Sequence, residues 1–299
     1  MNCRTVYPFE RFKASVKVAF LTLTRSKRVK LIFVTSLGLG IVVFSLFPIY
    51  WFGISAFRHP SVFFSSRPSL LPGPFTLEYF QWLITLTNFP TWYVNSFVVA
   101  VATTLLTVAV ASPFSYVLAR FKVFGLFFLG RLMLIGYMLP PMLLAIPLFK
   151  IFTALRADDT YISLIASHVS IALPFVVWVL WSFFKALPLQ VEESALIDGA
   201  SRFQVLLYIV FPMALPGIIT AGIFAFILSW TDYLFALIMI SSDGRRTVPF
   251  GLSLMTGAYE MRWGEILVGA TLIALPMIVI FSFVSRYFIR GLTAGAVKL

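Results

Sequence analysis

The sequence predicts an all-α membrane protein that crosses the bilayer six times, and three observations lead to this prediction. Hydrophobic residues make up 60% of the 299 residues and charged residues only 11%, a far more apolar composition than that of a soluble domain. Six runs of about 20 or more residues carry almost no charge, and such a run can cross the hydrocarbon layer as one helix. The basic residues, which give a net charge of +12, are concentrated in the flanks of these runs.

The first run follows a basic amino-terminal stretch. Residues 1–30 contain eight Lys or Arg, whereas residues 31–57 contain no charged side chain. A cleaved signal peptide is the alternative interpretation, but its apolar core is shorter than these 27 residues, and no A-x-A cleavage site follows. We therefore expect residues 1–30 to form a cytoplasmic tail and residues 31–57 to form an uncleaved first span.

Five more spans are predicted by the same criterion of length and charge. The third contains Pro140 and Pro141 at its middle, so its helix should be kinked or broken there. Such a break is tolerated where the backbone lines a cavity or packs against protein, and a plain structural kink is the alternative. The five predicted spans are Tyr93–Leu118, Leu126–Phe152, Tyr161–Phe184, Leu215–Ile240 and Ile266–Phe288.

The distribution of Lys and Arg predicts the orientation of the spans. With the amino terminus in the cytoplasm, 16 basic residues lie in the cytoplasmic segments and 7 lie outside, although the count without the amino-terminal tail is only 8 against 7. Six spans then return the carboxyl-terminal tail, residues 291–299, to the cytoplasm. Because the sequence shows no repeat and no separate soluble domain, residues 31–290 are expected to form one membrane domain.

Several classes of function are disfavoured by what the sequence lacks. It contains no G-x-x-x-x-G-K-[ST] phosphate loop, no G-x-S-x-G and no H-E-x-x-H, so we expect neither ATP hydrolysis nor other enzyme activity from this chain. Its one cysteine, Cys3, cannot form an internal disulfide, and no Cys or His pair has the spacing of metal ligands. The basic residues flank apolar runs, so their expected partner is membrane lipid and not nucleic acid.

Residues 187–217, LPLQVEESALIDGASRFQVLLYIVFPMALPG, form the one polar, helix-forming stretch between two long apolar runs. Glu192 and Glu193 lie early enough in the first predicted helix to favour its positive end. Gly199 then breaks that helix, since glycine costs roughly 1 kcal/mol inside a helix and permits a sharp turn. A second helix is expected from about Ser201. We therefore predict a short surface helix, a bend, and a helix that enters the bilayer.

This stretch resembles the EAA loop of ABC importer permeases, in which Glu-Ala-Ala is followed by three residues, a glycine, nine residues and Ile-x-Leu-Pro. Here residues 193–195 read Glu-Ser-Ala, Gly199 follows at the required distance, and residues 209–212 read Ile-Val-Phe-Pro. The replacement of one Ala by Ser and of Leu by Phe is mild. Any acidic loop between helices could contain a Glu, an Asp-Gly and two prolines, but chance rarely reproduces the whole spacing.

The carboxyl-terminal residues carry a second resemblance. Residues 286–298 read RYFIRGLTAGAVK, which is similar to the end of maltose-type (MalG-like) permeases, except that Leu299 stands where that family has glycine. In that family the tail reaches into the interface between two ATPase subunits. The resemblance implies this role for Gly291, Thr293, Gly295 and Lys298.

The two resemblances imply an ABC type I importer permease fold and a subunit of a carbohydrate importer in the bacterial cytoplasmic (inner) membrane. The implied partners are a second permease (MalF-like), two ABC ATPase subunits, an extracytoplasmic solute-binding protein and a sugar or oligosaccharide substrate. No cofactor is expected on this chain, because ATP and Mg are expected on the ATPase subunits. The residues expected to couple the spans to the ATPase, with the carboxylates as partners for basic groups and the glycine as the bend, are Glu192, Glu193, Ala195, Asp198 and Gly199.

Asp232 is the one acidic residue well inside a predicted span. A carboxylate in hydrocarbon costs several kcal/mol unless it faces water or a partner. In one interpretation it lies on the substrate pathway and accepts a sugar hydroxyl, with Trp230 or Tyr233 stacking on the sugar and Asn95 as a weaker candidate. In the other it makes a buried hydrogen bond between helices, the role also expected of His168.

Two other classes of function remain as alternatives. A proton-coupled carrier could use Asp232 and His168, but a single intramembrane acid and the absence of a repeat argue against it. A non-transporting scaffold for a membrane complex is the second. Purification separates these classes, because a carrier works alone, a scaffold supports no uptake, and an importer subunit needs an ATPase. The sequence leaves open whether the substrate is a disaccharide, a longer or acidic oligosaccharide, or a glycerol phosphate.

Overall fold

The described part of the chain is helical. The structure is a computed structural model that describes residues 8–59, 73–121, 124–256 and 262–296, without the side chains of residues 8–29, 124 and 284–296. Within these ranges there is no strand, and one isolated bridge joins Arg58 to Phe75. The all-α prediction is confirmed.

Twelve α-helices occur in the described residues, and two shorter helical segments accompany them. A π-helical segment, Leu206–Val210, joins two of the helices, and Asp243–Arg245 forms a 3-10 turn. The α-helices are α1 (Pro8–Ser55), α2 (Glu78–Thr85), α3 (Phe89–Arg120), α4 (Phe124–Tyr137), α5 (Pro141–Ala154), α6 (Tyr161–Ala186), α7 (Leu189–Ile197), α8 (Arg202–Val205), α9 (Phe211–Trp230), α10 (Leu234–Met239), α11 (Val248–Ser253) and α12 (Trp263–Ala296).

The structure contains five or six candidate spans, against the six predicted from the sequence. Five helical stretches are long and apolar enough to cross a membrane, namely 30–55, 89–120, 161–186, 202–230 and 263–283. The pair α4 and α5 is long and apolar enough only when taken together, and it counts as a sixth span if it crosses as one; its two helices are bent by 107° between Tyr137 and Pro141. The predicted break at the double proline is therefore present, and it is larger than a kink.

Helices α1 and α12 extend beyond the predicted first and last spans, although the candidate first span itself begins at Lys30. The backbone of α1 is helical from Pro8, so the expected boundary between tail and span at residue 30 is not a helix boundary. Similarly, α12 continues to Ala296, beyond the predicted span end at residue 288. Lys and Arg are good helix formers, so a basic flank extends a helix instead of ending it.

The fifth span is displaced from its predicted position. It was expected at residues 215–240, but the helical stretch that crosses runs from Arg202 to Trp230. Pro212 lies in the first turn of α9, where proline is tolerated, and the π-helical segment precedes it without interrupting the stretch. The helix ends at Trp230 because the carboxylate of Asp232 accepts hydrogen bonds from the first turn of α10 and thereby starts a new helix.

Helices α3, α6 and α9 pack together and form the centre of the molecule. Small residues permit this close approach, including Ala111, Ala172 and Ala221, which are fully buried. At Gly217 of α9 an added Cβ atom would lie 2.4 Å from Cγ of Phe183 in α6. The absence of a side chain at Gly217 therefore sets the distance between these two spans.

Contacts at the two ends of α3 define the two ends of the molecule. Because α3 has 32 residues, it is about 48 Å long. Near its start, the indole N–H of Trp92 donates to the carbonyl oxygen of Asp243 (3.1 Å). At its last residue, Arg120 contacts Glu192 of α7. We call these the loop end, at residues 243–246, and the hairpin end, at α7.

Candidate functional site

The predicted surface helix and bend are both present at the hairpin end. α7 ends in a glycine turn, in which the N–H of Gly199 donates to the carbonyl oxygen of Leu196 (3.2 Å) and that of Ala200 to Ala195 (3.0 Å). Gly199 has φ of +90°, a conformation that residues with a Cβ atom rarely adopt. The structure thus places Gly199 at the bend, as the sequence predicted.

The second helix of the hairpin has its own cap. The N–H of Gln204 donates to Oγ of Ser201 (3.3 Å), and the N–H of Ser201 donates to Oε1 of Gln204 (2.8 Å). This reciprocal pair is a capping box, which satisfies two backbone donors at once. We call residues 187–205 the α7–α8 hairpin, and its turn is closed by hydrogen bonds on both sides.

The tip of the hairpin exposes both charged and apolar side chains. Glu193 and Asp198 are exposed, and their contact with a partner remains a prediction. Beside them Ile197 is 86% exposed, and Phe203 of α8 is 67% exposed. Large exposed apolar side chains next to charges mark an interaction surface. The sequence prediction did not assign Ile197 or Phe203 to this surface, although two large apolar residues in a polar stretch are a readable signal.

Glu192 does not face a partner, and this corrects the expectation. It is 6% exposed, and its carboxylate accepts hydrogen bonds from the guanidinium of Arg120 and from the hydroxyl of Tyr116. Ala195, three residues further on, is half-buried against the core and lies on the same helix face. The motif did not show which of two adjacent glutamates points inward, because only the position of α3 decides that.

Trp230 is also buried, which corrects its expected role in stacking on a sugar. Only 1% of its surface is exposed, its indole N–H donates to the carbonyl oxygen of Ile273 (3.1 Å), and its ring stacks on Phe226 at 5.7 Å. The ring of Tyr93 packs perpendicular to it, with the ring centroids 5.4 Å apart. No face of the indole is free for a ligand in this structure.

Asp232 lies in a break between helices and not well inside a span. One carboxylate oxygen, Oδ2, accepts hydrogen bonds from the N–H groups of Phe235 and Ala236, each at 3.1 Å. The same oxygen is 3.1 Å from Nε2 of His168, and the side chain is 12% exposed. The start of a helix favours a carboxylate, so Asp232 has a structural reason to be here.

His168 makes a polar contact between helices, as the sequence prediction expected of it. It is fully buried in α6, and its Nδ1 is 2.8 Å from Oγ of Ser229 in α9. The hydroxyl of Ser229 in turn lies 3.4 Å from that of Thr103 in α3. Together with Asp232, these side chains form a polar link through the middle of an apolar bundle.

The other two pathway candidates differ in their exposure. Asn95 is buried, donates to the carbonyl oxygens of Gly244 and Arg246 (both 2.9 Å) and accepts from the hydroxyl of Tyr161 (2.8 Å). It therefore holds the loop end together, and its expected place on the pathway is corrected. Tyr233 is 42% exposed, so it remains able to meet a ligand.

The broken third span borders a cavity of about 640 Å³. The prolines at the break, Pro140 and Pro141, line it on one side, and Pro174 of α6 and Leu228 of α9 line it on the other. The sequence left open whether the double proline lines a cavity or makes a plain kink. The structure shows the first arrangement, and the cavity walls are mainly apolar.

A network around Asp159 closes the loop end. The N–H groups of Ser241 and Ser242 donate to Oδ1 of Asp159 (2.9 and 3.0 Å), and Arg245 donates to Oδ2 (2.9 Å). Burial raises the pKa of Asp159, but hydrogen bonds from Ser242 and Ser241 and the charge of Arg245 outweigh it and lower the pKa to about 2. Asp159 is therefore ionised at physiological pH.

The expected tail residues cannot be compared in the same way. Gly291, Thr293 and Gly295 lie on the backbone of α12, whose side chains are not described there, and Lys298 lies outside the described residues. Among the described residues, no group of three or more His, Cys, Asp or Glu could hold a metal ion. The role of the tail remains a prediction.

These features define a polytopic helical membrane protein with a capped helical hairpin at one end of its central spans. Residues 111–294 match the family described as "Binding-protein-dependent transport system inner membrane component". This match covers more than half of the chain, and the chain belongs to that family.

Two relatives and one solved structure show the extent of the similarity. "Inner membrane ABC transporter permease protein YcjP" of Escherichia coli (strain K12) is 34% identical over 259 residues, 86% of this chain and 92% of its own. "Trehalose/maltose transport system permease protein MalG" of Thermococcus litoralis is 31% identical over the same shares of both chains. The solved structure is that of a bacterial ABC transporter involved in the import of the acidic polysaccharide alginate. One of its chains superposes on this chain with a TM-score of 0.69 and 18% sequence identity, and the match covers 96% of this chain and 100% of the transporter chain.

Family membership establishes the general kind of protein. The chain is a permease subunit of an inner-membrane transport system and not an enzyme. Such a subunit works, in general terms, with a partner permease, with ATPase subunits that hydrolyse ATP, and with a binding protein. The predicted importer permease fold is confirmed by the structural match.

Proposed function

We propose that this chain moves a sugar or oligosaccharide across the cytoplasmic membrane as one of two permeases in an ATP-driven importer. The names of its relatives support the substrate class, since one is a trehalose/maltose permease, and the chain is 31% identical to it over 86% of its length. The second permease is of the MalF-like kind, and a solute-binding protein delivers the sugar from outside. ATP and Mg bind to two ATPase subunits and not to this chain.

The α7–α8 hairpin is the element that couples the spans to the ATPase. The observation that carries this proposal is the closed turn at Gly199 with exposed Glu193, Asp198 and Ile197 at its tip. A turn held by hydrogen bonds on both sides transmits a push from a partner without deforming. This assignment places the hairpin end, both termini and the tail residues Gly291 to Lys298 in the cytoplasm.

The substrate route lies along the surfaces of the spans that no other helix of this chain covers among the described residues. Tyr233 is the expected pathway residue that supports this, because it is exposed and lies beside the break that Asp232 caps. Trp230 and Asn95 are buried beneath this surface, and their hydrogen bonds hold the helices that form it in place.

Reconstitution of the complex that co-purifies with this chain tests the proposal. Proteoliposomes containing the complex, with ATP inside and the binding protein outside, should accumulate a labelled disaccharide or an acidic oligosaccharide. An ATPase variant that binds but does not hydrolyse ATP is the matched control and should abolish uptake. Uptake driven by a proton gradient without ATPase subunits would contradict the proposal, and so would a complex that supports no uptake of any carbohydrate or glycerol phosphate.

A further inference from the structure

A buried cluster of three side chains attaches α7 to the membrane-spanning α3. Glu192 is the one buried residue of α7, whose nine residues are all described. Its partners, Tyr116 and Arg120, are one helical turn apart on α3 and therefore share a face of that helix. A short surface helix is thus fastened to a span through a carboxylate.

The bonds in this cluster fix both the position and the rotation of α7. Oε1 of Glu192 accepts hydrogen bonds from Nε (2.8 Å) and Nη2 of Arg120, and Oε2 accepts from the hydroxyl of Tyr116 (2.9 Å). The same guanidinium donates to the carbonyl oxygen of Leu187, between α6 and α7 (3.3 Å). Charge-assisted bonds are short and directional, so three of them on one carboxylate leave α7 little freedom to turn.

Apolar packing alone does not hold α7 in this way. Ala195 and Leu196 are only half-buried against the core, and the helix is too short to be stable by itself in water. The side chains of Arg120 and Glu192 are 7% and 8% exposed, so removal of either would leave the other as an unpaired buried charge.

We propose that Glu192, Arg120 and Tyr116 are positioning residues that form a rigid joint between the coupling hairpin and α3. A displacement of α7 by the ATPase then moves α3, and α3 moves the central spans because it packs directly on α6 and α9. The inference rests on the proposed coupling function of the hairpin. It separates two adjacent glutamates, so that Glu193 faces the partner and Glu192 holds the joint.

The first test measures the mobility of α7 and needs no substrate. A spin label is attached at Ser194→Cys in a full-length Cys3→Ser chain, assembled with its partner permease before the ATPase subunits are added. We expect Glu192→Gln to increase the mobile fraction of the label at least about twofold, because the neutral amide loses the charged partner of Arg120. Glu193→Gln, the matched control on the exposed side, should leave the spectrum unchanged. An unchanged spectrum in Glu192→Gln would overturn the proposal.

The second test measures coupling in proteoliposomes containing the whole importer. Glu192→Gln should keep the ATPase subunits bound but lower the sugar taken up per ATP hydrolysed by about tenfold, and the swapped pair Arg120→Glu with Glu192→Arg should restore part of the loss. If the Glu192→Gln protein does not accumulate in the membrane, the swapped pair should restore the protein level. Failure to restore it would count against the joint. Loss of ATPase binding in Glu192→Gln with an unchanged label spectrum would assign Glu192 to the partner interface instead. If the unaltered complex moved no sugar, the proposed function would fail, whereas the spectra would still report on the joint.

Discussion

Glu192 and Glu193 are neighbours in the sequence, yet the structure gives them opposite surroundings. Glu192 is buried and paired with Arg120, whereas Glu193, about 100° further around α7, is exposed. A glutamate in this motif can therefore either bind a buried basic group or face a partner, depending on which face of the helix it occupies. Sequence spacing places both on the same short helix, but it does not state the rotation of that helix relative to α3.

Gly199 offers a direct test of the hairpin at the scale of one residue. At φ of +90° a β-branched residue is strained by about 1–3 kcal/mol, which exceeds the 0.2–1 kcal/mol of an exposed ion pair. We therefore expect Gly199→Val to impair uptake more severely than Glu193→Ala, while both variants insert normally. Gly199→Asn is the matched control, because asparagine tolerates a left-handed backbone better than valine does. Full uptake and full stimulated ATP hydrolysis in Gly199→Val would remove the hairpin from the coupling path.

Asp159 provides a second prediction, which concerns pH. Its folded pKa of about 2 is below the ordinary value of 3.8, so its ionised form stabilises the loop end above about pH 4. This contribution is lost as the pH falls through the folded pKa. Asp159→Asn should therefore lower the melting temperature of the complex at pH 7, and the difference from the unaltered protein should start to shrink only below about pH 4. A difference that shrinks between pH 7 and pH 5 would contradict this origin.

The elements themselves were predicted with unequal success, and the reasons are physical. The apolar runs became helical, with the third and the fifth each divided into two helices, because helical hydrogen bonds satisfy the backbone of such a run in hydrocarbon. The break at Pro140 and Pro141 was also readable, since proline removes a helical hydrogen bond. The break after Trp230 was not, because no proline or glycine marks it, and the carboxylate that caps the next helix belongs to a residue placed inside the apolar run.

The close approach of α6 and α9 leads to a prediction at the scale of elements. Gly217→Ala would place a Cβ atom 2.4 Å from the ring of Phe183, and such overpacking typically costs about 1–3 kcal/mol. Gly222→Ala in the same helix is the matched control, because its Cβ atom would lie at an ordinary distance of 3.5 Å from Thr104. We expect only the first to lower the melting temperature of the purified complex. Equal melting temperatures would show that α6 and α9 can separate without loss.

At the scale of the whole molecule, one group of polar contacts lies at each end of α3, and the polar link through His168 lies between them. The loop end joins Asn95 to Gly244 and Arg246, and the hairpin end joins Arg120 to Glu192. α1 contacts α12, yet its described residues from Lys30 to Tyr50 are exposed within this chain. That apolar surface needs lipid or another subunit around it, as expected for one permease of a pair.

The orientation of these two ends in the membrane is the last prediction, and labelling with cysteine reagents tests it. The charge count depends on the amino-terminal tail, but the hairpin end and residue 158 are separated by one complete span, α6, and must lie on opposite sides. In a Cys3→Ser chain, Gln190→Cys should react with a membrane-impermeant maleimide only after the cells are opened, whereas Asp158→Cys should react in intact cells. Both side chains are exposed in this chain, and reaction of Gln190→Cys once the cells are opened excludes burial by a partner subunit. Reaction of Gln190→Cys in intact cells would place the hairpin outside, away from any cytoplasmic ATPase, and would overturn both the topology and the proposed coupling.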